Sequence, residues 1–321
     1  MQLPANPSIS FTLDNALSDT SVEAIASETQ SGISVELYFE SQRNEAFEVK
    51  IKGFLEKAVS AFPWLNHHHL LINSTNTFPH SSGIASSASA FSALALCLCS
   101  IDEQMKGISD PTFFEKASHW ARIGSGSACR SVYGGFNLWG QTTALNGSSD
   151  EYAVNIDDII HPVFKTFKDT ILIIEKGKKA VSSTAGHALL NTHPFADIRY
   201  ASGFKNTELL LEVLESGDLD KFIQIVESEA LMLHALMMTS PTPFILMKPH
   251  TLSVIEKIWD FRNQTGLHLL FTLDAGANVH LLNPESENDR VQEFVKNELV
   301  GYCQNGLYLC NAVGNGPIKT H

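Results

Sequence analysis

The stretch GIASSASAFSALALCLCS, Gly83–Ser100, decides the reading of this chain. A glycine and the small residues Ala85, Ser86, Ser87 and Ala88 lead straight into a long apolar run. Within that run Phe91, Leu94, Ala95 and Leu98 fall at i, i+3, i+4 and i+7. The other faces are apolar as well, which predicts a central, buried helix from Ser86. A helix N-terminus presents unpaired N–H groups and a partial charge of about +0.5. Small residues let an anion approach those groups, and serine hydroxyls add donors, so the turn suits a nucleotide phosphate. The plainer alternative is that small residues permit tight helix packing and Ser86 merely caps. The GxxxxGK[ST] phosphate loop is absent from the chain.

Three further segments carry related chemistry. GSGSACRS, Gly124–Ser131, is a second glycine- and serine-rich turn, expected to open onto another helix. Ser125, Ser127 and nearby N–H groups can hold a second anion, and Arg130 can grip a carboxylate or phosphate in a fork. An ordinary glycine turn with a surface arginine is the alternative. KGKKAVSSTAGH, Lys176–His187, adds Lys178, Ser182, Ser183 and Thr184, which taken alone read as a solvated basic hairpin. FTLDAGAN puts Asp274 at a strand end just before Gly276, where a carboxylate is either functional or a loop cap. His67–His69 would alternate across a strand, and His234, in an apolar helix, reads as a satisfied core histidine.

Composition bounds the function. The 321 residues are 44% hydrophobic and 18% charged, as in a globular protein with a substantial core, and suit two ordinary domains or one large one. A net charge of −13 and a pI near 5.4 argue against general binding to nucleic acid or anionic membrane. Phosphate chemistry must therefore rest on local features. No run of about 18 apolar residues predicts a membrane span, and MQLPANPSIS lacks the regions of a signal peptide. Five cysteines without a CxxC pair read as reduced, mostly core thiols of a cytoplasmic protein.

Strands are predicted over SISFTLD, GISVELYFE and HHHLLINS, with a helix ending near Pro63. Asp110-Pro111 reads as a helix start. A helical hairpin breaks at Gly217-Asp218, a further helix closes at Gly266, and a strand and helix precede a closing strand. Strands and helices mix without strict alternation, so the class is α+β. The boundary is expected near DDIIHPVF, dividing the chain into residues 1–160 and 161–321.

Five stretches, taken in order, resemble the diphosphomevalonate decarboxylase family of the GHMP kinase superfamily. They are LPANPSISFTL, NTFPHSSGIASSASAFSALA, GSGSACRSVYGGFNLW, SSTAGH and FTLDAGANVHLL. The resemblance implies the GHMP kinase fold: an N-terminal nucleotide-binding domain like ribosomal protein S5 domain 2 and a ferredoxin-like C-terminal domain, with the active site between them. It implies ATP-dependent decarboxylation of mevalonate 5-diphosphate to isopentenyl diphosphate with ATP and Mg²⁺, often in a homodimer. By the same resemblance Asp274 orients or accepts the hydroxyl proton and Arg130 holds the substrate carboxylate. Asn76, Gly83, Ala85, Ser86 and Ser87 would serve the nucleotide; Ser125, Gly126, Ser127, Lys178, Ser183 and Thr184 would serve the diphosphate substrate.

Departures from the family pattern frame the alternatives. Ala277 replaces a proline, and Thr184 stands where some relatives carry arginine. The family's N-terminal strand, resembling N-I-A-L-I-K-Y-W-G-K, has no counterpart before Met1-Gln2-Leu3. The expectation is a misassigned start or a truncated chain, with an unpaired edge or a gap in the first sheet. The competing readings are a decarboxylase or 3-kinase acting on mevalonate 5-phosphate or mevalonate, and an inactive homologue.

Overall fold

Alternating apolar residues build the first ladder. In β1 (Ser8–Phe11) Ile9 and Phe11 alternate with serines, and the strand pairs antiparallel with β6 (Phe136–Trp139), which pairs in turn with β7 (Ala153–Asn155). No described strand pairs the other edge of β1. The computed structural model describes residues 2–27, 32–78, 86–176 and 193–320.

A second sheet has the order β2-β5-β3-β4, formed by Ser18–Ala26, His68–Asn76, Ser34–Phe39 and Gln42–Arg43. Its β3 and β5 run parallel, with α1 (Glu45–Ala58) in the connection between them. One face of this sheet, α1, α2 (Ser86–Lys106) and α3 (Phe113–Gly124) share a core that includes Leu37, Phe54, Leu70, Leu94, Leu98 and Trp120. The helix expected from Ser86 is thus present and packed on several sides.

Two local expectations are corrected. Helix α3 begins at Phe113, not at Pro111, because the Asp110 carboxylate accepts the Thr112 N–H (2.9 Å) and hydroxyl (2.7 Å), holding a turn ahead of the helix. The segment Gly126–Val132 is a seven-residue 3₁₀ turn and not an α-helix. Tyr133 is extended and Gly135 has φ +56°, so the turn cannot propagate. A side chain at Gly135 would also collide with the Asp157 carboxylate.

Beyond the short α4 (Pro162–Lys165), β8 (Lys168–Leu172) enters a third, antiparallel sheet of order β11-β8-β10-β9. Its other strands are Tyr308–Ala312, Val279–Asn283 and Leu270–Leu273. Among the described residues, α5 (Ala196–Ser216), α6 (Leu219–Thr239), α7 (Pro249–Thr265) and α8 (Asn288–Phe294) accompany it. As predicted, left-handed Gly217 (φ +81°) ends α5 and the Asp218 side chain accepts the Lys221 N–H to start α6.

The two faces of this sheet have different partners. Leu172, Phe271, Val279 and Leu281 pack with Val254, Ile258 and Phe294. On the opposite face Leu270 and Leu282 join Phe136 and Leu138 of β6 and Leu214 and Phe222 of α5 and α6. Burying each such side chain is worth about 1.5–3 kcal/mol. This last core draws residues from both sides of position 160, so it fixes the β1–β6 ladder against the β9–β10 hairpin.

Candidate active site

The two hydroxyl-rich turns meet. Ser87, in the first turn of α2, has its Oγ 3.3 Å from Oγ of Ser125 at the end of α3. No acidic residue stands in the first turn of the 21-residue α2, so nothing there neutralises the positive end of its dipole. Ser86 is half-buried and Ser87 exposed. Gly124 lets the turns approach: an added Cβ there would lie 2.2 Å from the Phe91 ring. The Gly126 N–H donates to the Gln2 side-chain oxygen, while Ser127 is half-buried in the 3₁₀ turn. That turn is anchored by buried Ala128, Cys129 and Val132, and by the Ser118 hydroxyl donating to the Cys129 carbonyl (2.8 Å).

Anchored this way, Arg130 projects towards β1, where its Nη1 donates to Ser8 Oγ at 2.8 Å. Burial presses the guanidinium below its ordinary pKa, and the Asp274 carboxylate pulls in the opposite direction. The Asp274 carboxylate is thus near enough for its charge to be felt at the guanidinium. Asp274 follows β9 directly and is exposed. Its backbone carbonyl accepts the Gly276 N–H (2.7 Å) and a bond from His234 Nε2 (3.2 Å).

Of the residues singled out in the sequence, Ser87 and Ser125 meet, Ser86, Gly126 and Ser127 adjoin them along the chain, and Arg130 feels the charge of Asp274. Asn76 is engaged elsewhere: its Oδ1 accepts the Ser18 hydroxyl at 2.7 Å. No described contact joins Asn76 to the serine pair. Gly83, Ala85, Lys178, Ser183 and Thr184 lie outside the described residues. Sequence reasoning missed Ser8 as the partner of Arg130, although it lies in the quoted LPANPSISFTL. It read His234 as a core histidine without its link to Asp274. It also missed a pair across β8 and β10, half-buried His280 with buried Asp169, Nδ1 to Oδ2 at 2.8 Å. Among the described residues no group of three His, Cys, Asp or Glu could hold a metal ion. His68 and His69 of β5 bond the Trp64 carbonyl and Ser34 Oγ instead.

Chemically, the arrangement offers amide and hydroxyl donors for polyphosphate groups, a guanidinium in the second turn, and a carboxylate whose charge reaches it. That defines a site for anionic small molecules, one of them able to present a carboxylate to Arg130. Residues 1–153 match the diphosphomevalonate decarboxylase-like N-terminal domain, and residues 170–310 match the mevalonate 5-diphosphate decarboxylase C-terminal domain. The chain is 31% identical to a mevalonate diphosphate decarboxylase from Legionella pneumophila, whose crystal structure superposes with a TM-score of 0.80, covering 96% of this chain and 92% of that one. It is 29% identical over 301 residues to the diphosphomevalonate decarboxylase of Candida albicans, covering 91% of this chain and 80% of that protein. A further neighbour, solved in complex with MVAPP, AMPPCP and magnesium, is 26% identical with a TM-score of 0.79, covering 98% of this chain and 90% of its own.

The chain belongs to the diphosphomevalonate decarboxylase family. Its fold is that of the mevalonate diphosphate decarboxylase structures, the GHMP kinase fold expected from the sequence.

Proposed function

We propose that this chain is an ATP-dependent decarboxylase converting mevalonate 5-diphosphate, with ATP, to isopentenyl diphosphate, ADP, phosphate and carbon dioxide. The observation that supports this most is the meeting of the two hydroxyl-rich turns, Ser87 to Ser125, in a chain where the Asp274 carboxylate also acts on the Arg130 guanidinium. A tertiary hydroxyl is a poor leaving group, and transfer of the ATP γ-phosphoryl to it cures that. The C–O bond to the new phosphate then breaks, and the electron pair of the C–C bond to the carboxylate becomes the double bond as carbon dioxide departs. Asp274 orients the hydroxyl and takes its proton. Arg130 holds the carboxylate so that the breaking C–C bond aligns with the leaving phosphate. Ser125 and Ser127 bind the substrate diphosphate, and Ser86 and Ser87 the nucleotide phosphates. The unneutralised start of α2 and its hydroxyls fit a nucleotide, and a bound Mg²⁺ would offset charge on its phosphate oxygens.

The same reading extends to organisation and location. A boundary after residue 160, between a nucleotide-binding and a C-terminal domain, rests on the resemblance, as does a homodimer. A cytoplasmic location is supported by five free thiols, three of them buried. No helix among the described residues is long and apolar enough to cross a membrane.

The test is Asp274→Asn. With general-base help removed, turnover should fall by about 10²–10⁴-fold while ATP and mevalonate 5-diphosphate still bind. The melting temperature should stay near that of the unaltered chain, since the carboxylate is exposed. Retained turnover with a lower melting temperature would make Asp274 a structural residue and overturn its assigned role.

A further inference from the structure

The turn that carries Asp274 is braced from three elements. From α6, His234 Nε2 lies 3.2 Å from the Asp274 carbonyl oxygen. From α7, the buried Thr251 hydroxyl donates to the Ala277 carbonyl at 2.6 Å. After β8, the Glu175 N–H donates to Asn278 Oδ1 at 3.0 Å. Ala275 and Ala277 are both buried, so the backbone of the turn is seated in apolar surroundings while the Asp274 side chain is exposed. His234 is 1% exposed, in a helix whose neighbouring Leu233 and Met237 pack with Leu246 and Ala275.

A carbonyl oxygen only accepts, so Nε2 of His234 must carry the proton and the ring is held in its Nε2–H form. Burial keeps the imidazole below its ordinary pKa, against the smaller pull of the Asp274 carbonyl and carboxylate. A buried polar ring in an apolar helix costs free energy unless it is paired, and Nε2 pairs with the backbone of the residue that carries the proposed base. We infer that His234 is a positioning residue for Asp274: its ring N–H fixes the carbonyl at the root of the turn, and with it the direction in which the carboxylate leaves β9. His234 reaches the turn from the core side and acts through Asp274. The inference rests on the decarboxylase reading of the site.

The experiment compares His234→Leu and His234→Gln in the full chain, measuring kcat and both KM values from ADP release with ATP and mevalonate 5-diphosphate. Leucine fills the space without a donor; the glutamine amide can donate from nearly the same point. Displacing a reacting group by about 1 Å can cost about 10²-fold, so His234→Leu should lower kcat by about 10- to 100-fold with both KM values little changed. His234→Gln should recover most of that loss. A folded His234→Leu with normal kcat, or equal losses in both variants, overturns the inference. A second readout needs no variant: ¹⁵N side-chain NMR of the unaltered protein near neutral pH should show His234 as the neutral Nε2–H tautomer. An Nδ1–H tautomer there overturns the inference even if neither variant folds. An unaltered chain releasing neither ADP nor carbon dioxide would instead defeat the decarboxylase reading, leaving the tautomer result to stand by itself.

Discussion

Replacing Arg130 by lysine keeps the charge and removes the fork. In the folded chain one guanidinium nitrogen is committed to Ser8 Oγ at 2.8 Å, and the group feels the charge of Asp274. The remaining N–H groups are the ones proposed to hold the substrate carboxylate. A lysine ammonium is a single point donor on a differently shaped stem, so it can serve Ser8 or the carboxylate, but not both in the same geometry. A hydrogen bond involving a charged group contributes about 1.5–3 kcal/mol. At roughly 1.4 kcal/mol per tenfold, losing one such contact in the transition state lowers kcat/KM by about 10- to 150-fold. The assay couples ADP release to NADH oxidation and traps carbon dioxide in parallel, with ATP saturating and mevalonate 5-diphosphate varied. The melting temperature should hardly move, because Ser8 is half-buried and water can replace its partner. Near-normal turnover in Arg130→Lys would refute the carboxylate role, since a point charge would then suffice.

Other expected outcomes follow from the packing and the titrating groups. Glu227 is buried and accepts Arg262 Nη1 (2.6 Å), Arg262 Nη2 (3.1 Å) and Trp259 Nε1 (2.8 Å). Glu227→Ala strands that cation and should cost about 2–4 kcal/mol in chemical denaturation, somewhat less than breaking a fully buried pair. Gly124→Ala pushes a methyl against the Phe91 ring, and overpacking of this kind costs about 1–3 kcal/mol, read as a lower melting temperature. Burial opposes charge on His280, but Asp169 outweighs it and raises the imidazole pKa above its ordinary value. The folded state therefore binds that proton more tightly. The stabilisation is full below the unfolded value of about 6.5 and fades as pH rises through the folded value. His280→Gln should accordingly destabilise most below about pH 6 and progressively less at alkaline pH, checked by urea titrations across the range. Burial lifts the Cys99 and Cys129 thiols to about 12, so a maleimide should label exposed Cys310 first in the native protein.

The site was legible where local chemistry is written in consecutive residues. The small-residue start of α2, the GSGSACRS turn and Asp274 at a strand end all occur where those segments led one to expect them. Gly217 and Gly266 marked helix ends because only a left-handed residue closes a helix that way. Strand β2 went unseen because it contributes little apolar surface: its packing into the core comes through Val22 and Ala24, set among polar residues. The 3₁₀ turn after Gly124 looked helical because its residues tolerate a helix; it is the following Tyr133 and Gly135 that stop it. What pattern reading could not reach is contact between distant segments. Ser87 meets Ser125 across 38 positions, Arg130 reaches Ser8 across 122, and His234 reaches Asp274 across 40. Those distances are set by helix packing and by the shared core around Phe136, Leu270 and Phe222, which no single segment encodes.

The most direct measurement is the ratio of carbon dioxide to ADP released by the unaltered chain, with mevalonate 5-diphosphate, mevalonate 5-phosphate and mevalonate supplied separately. One carbon dioxide should be released for each ADP, with mevalonate 5-diphosphate the best substrate. ADP formed without carbon dioxide would contradict the decarboxylase reading, because Arg130 and Asp274 would then serve phosphoryl transfer alone.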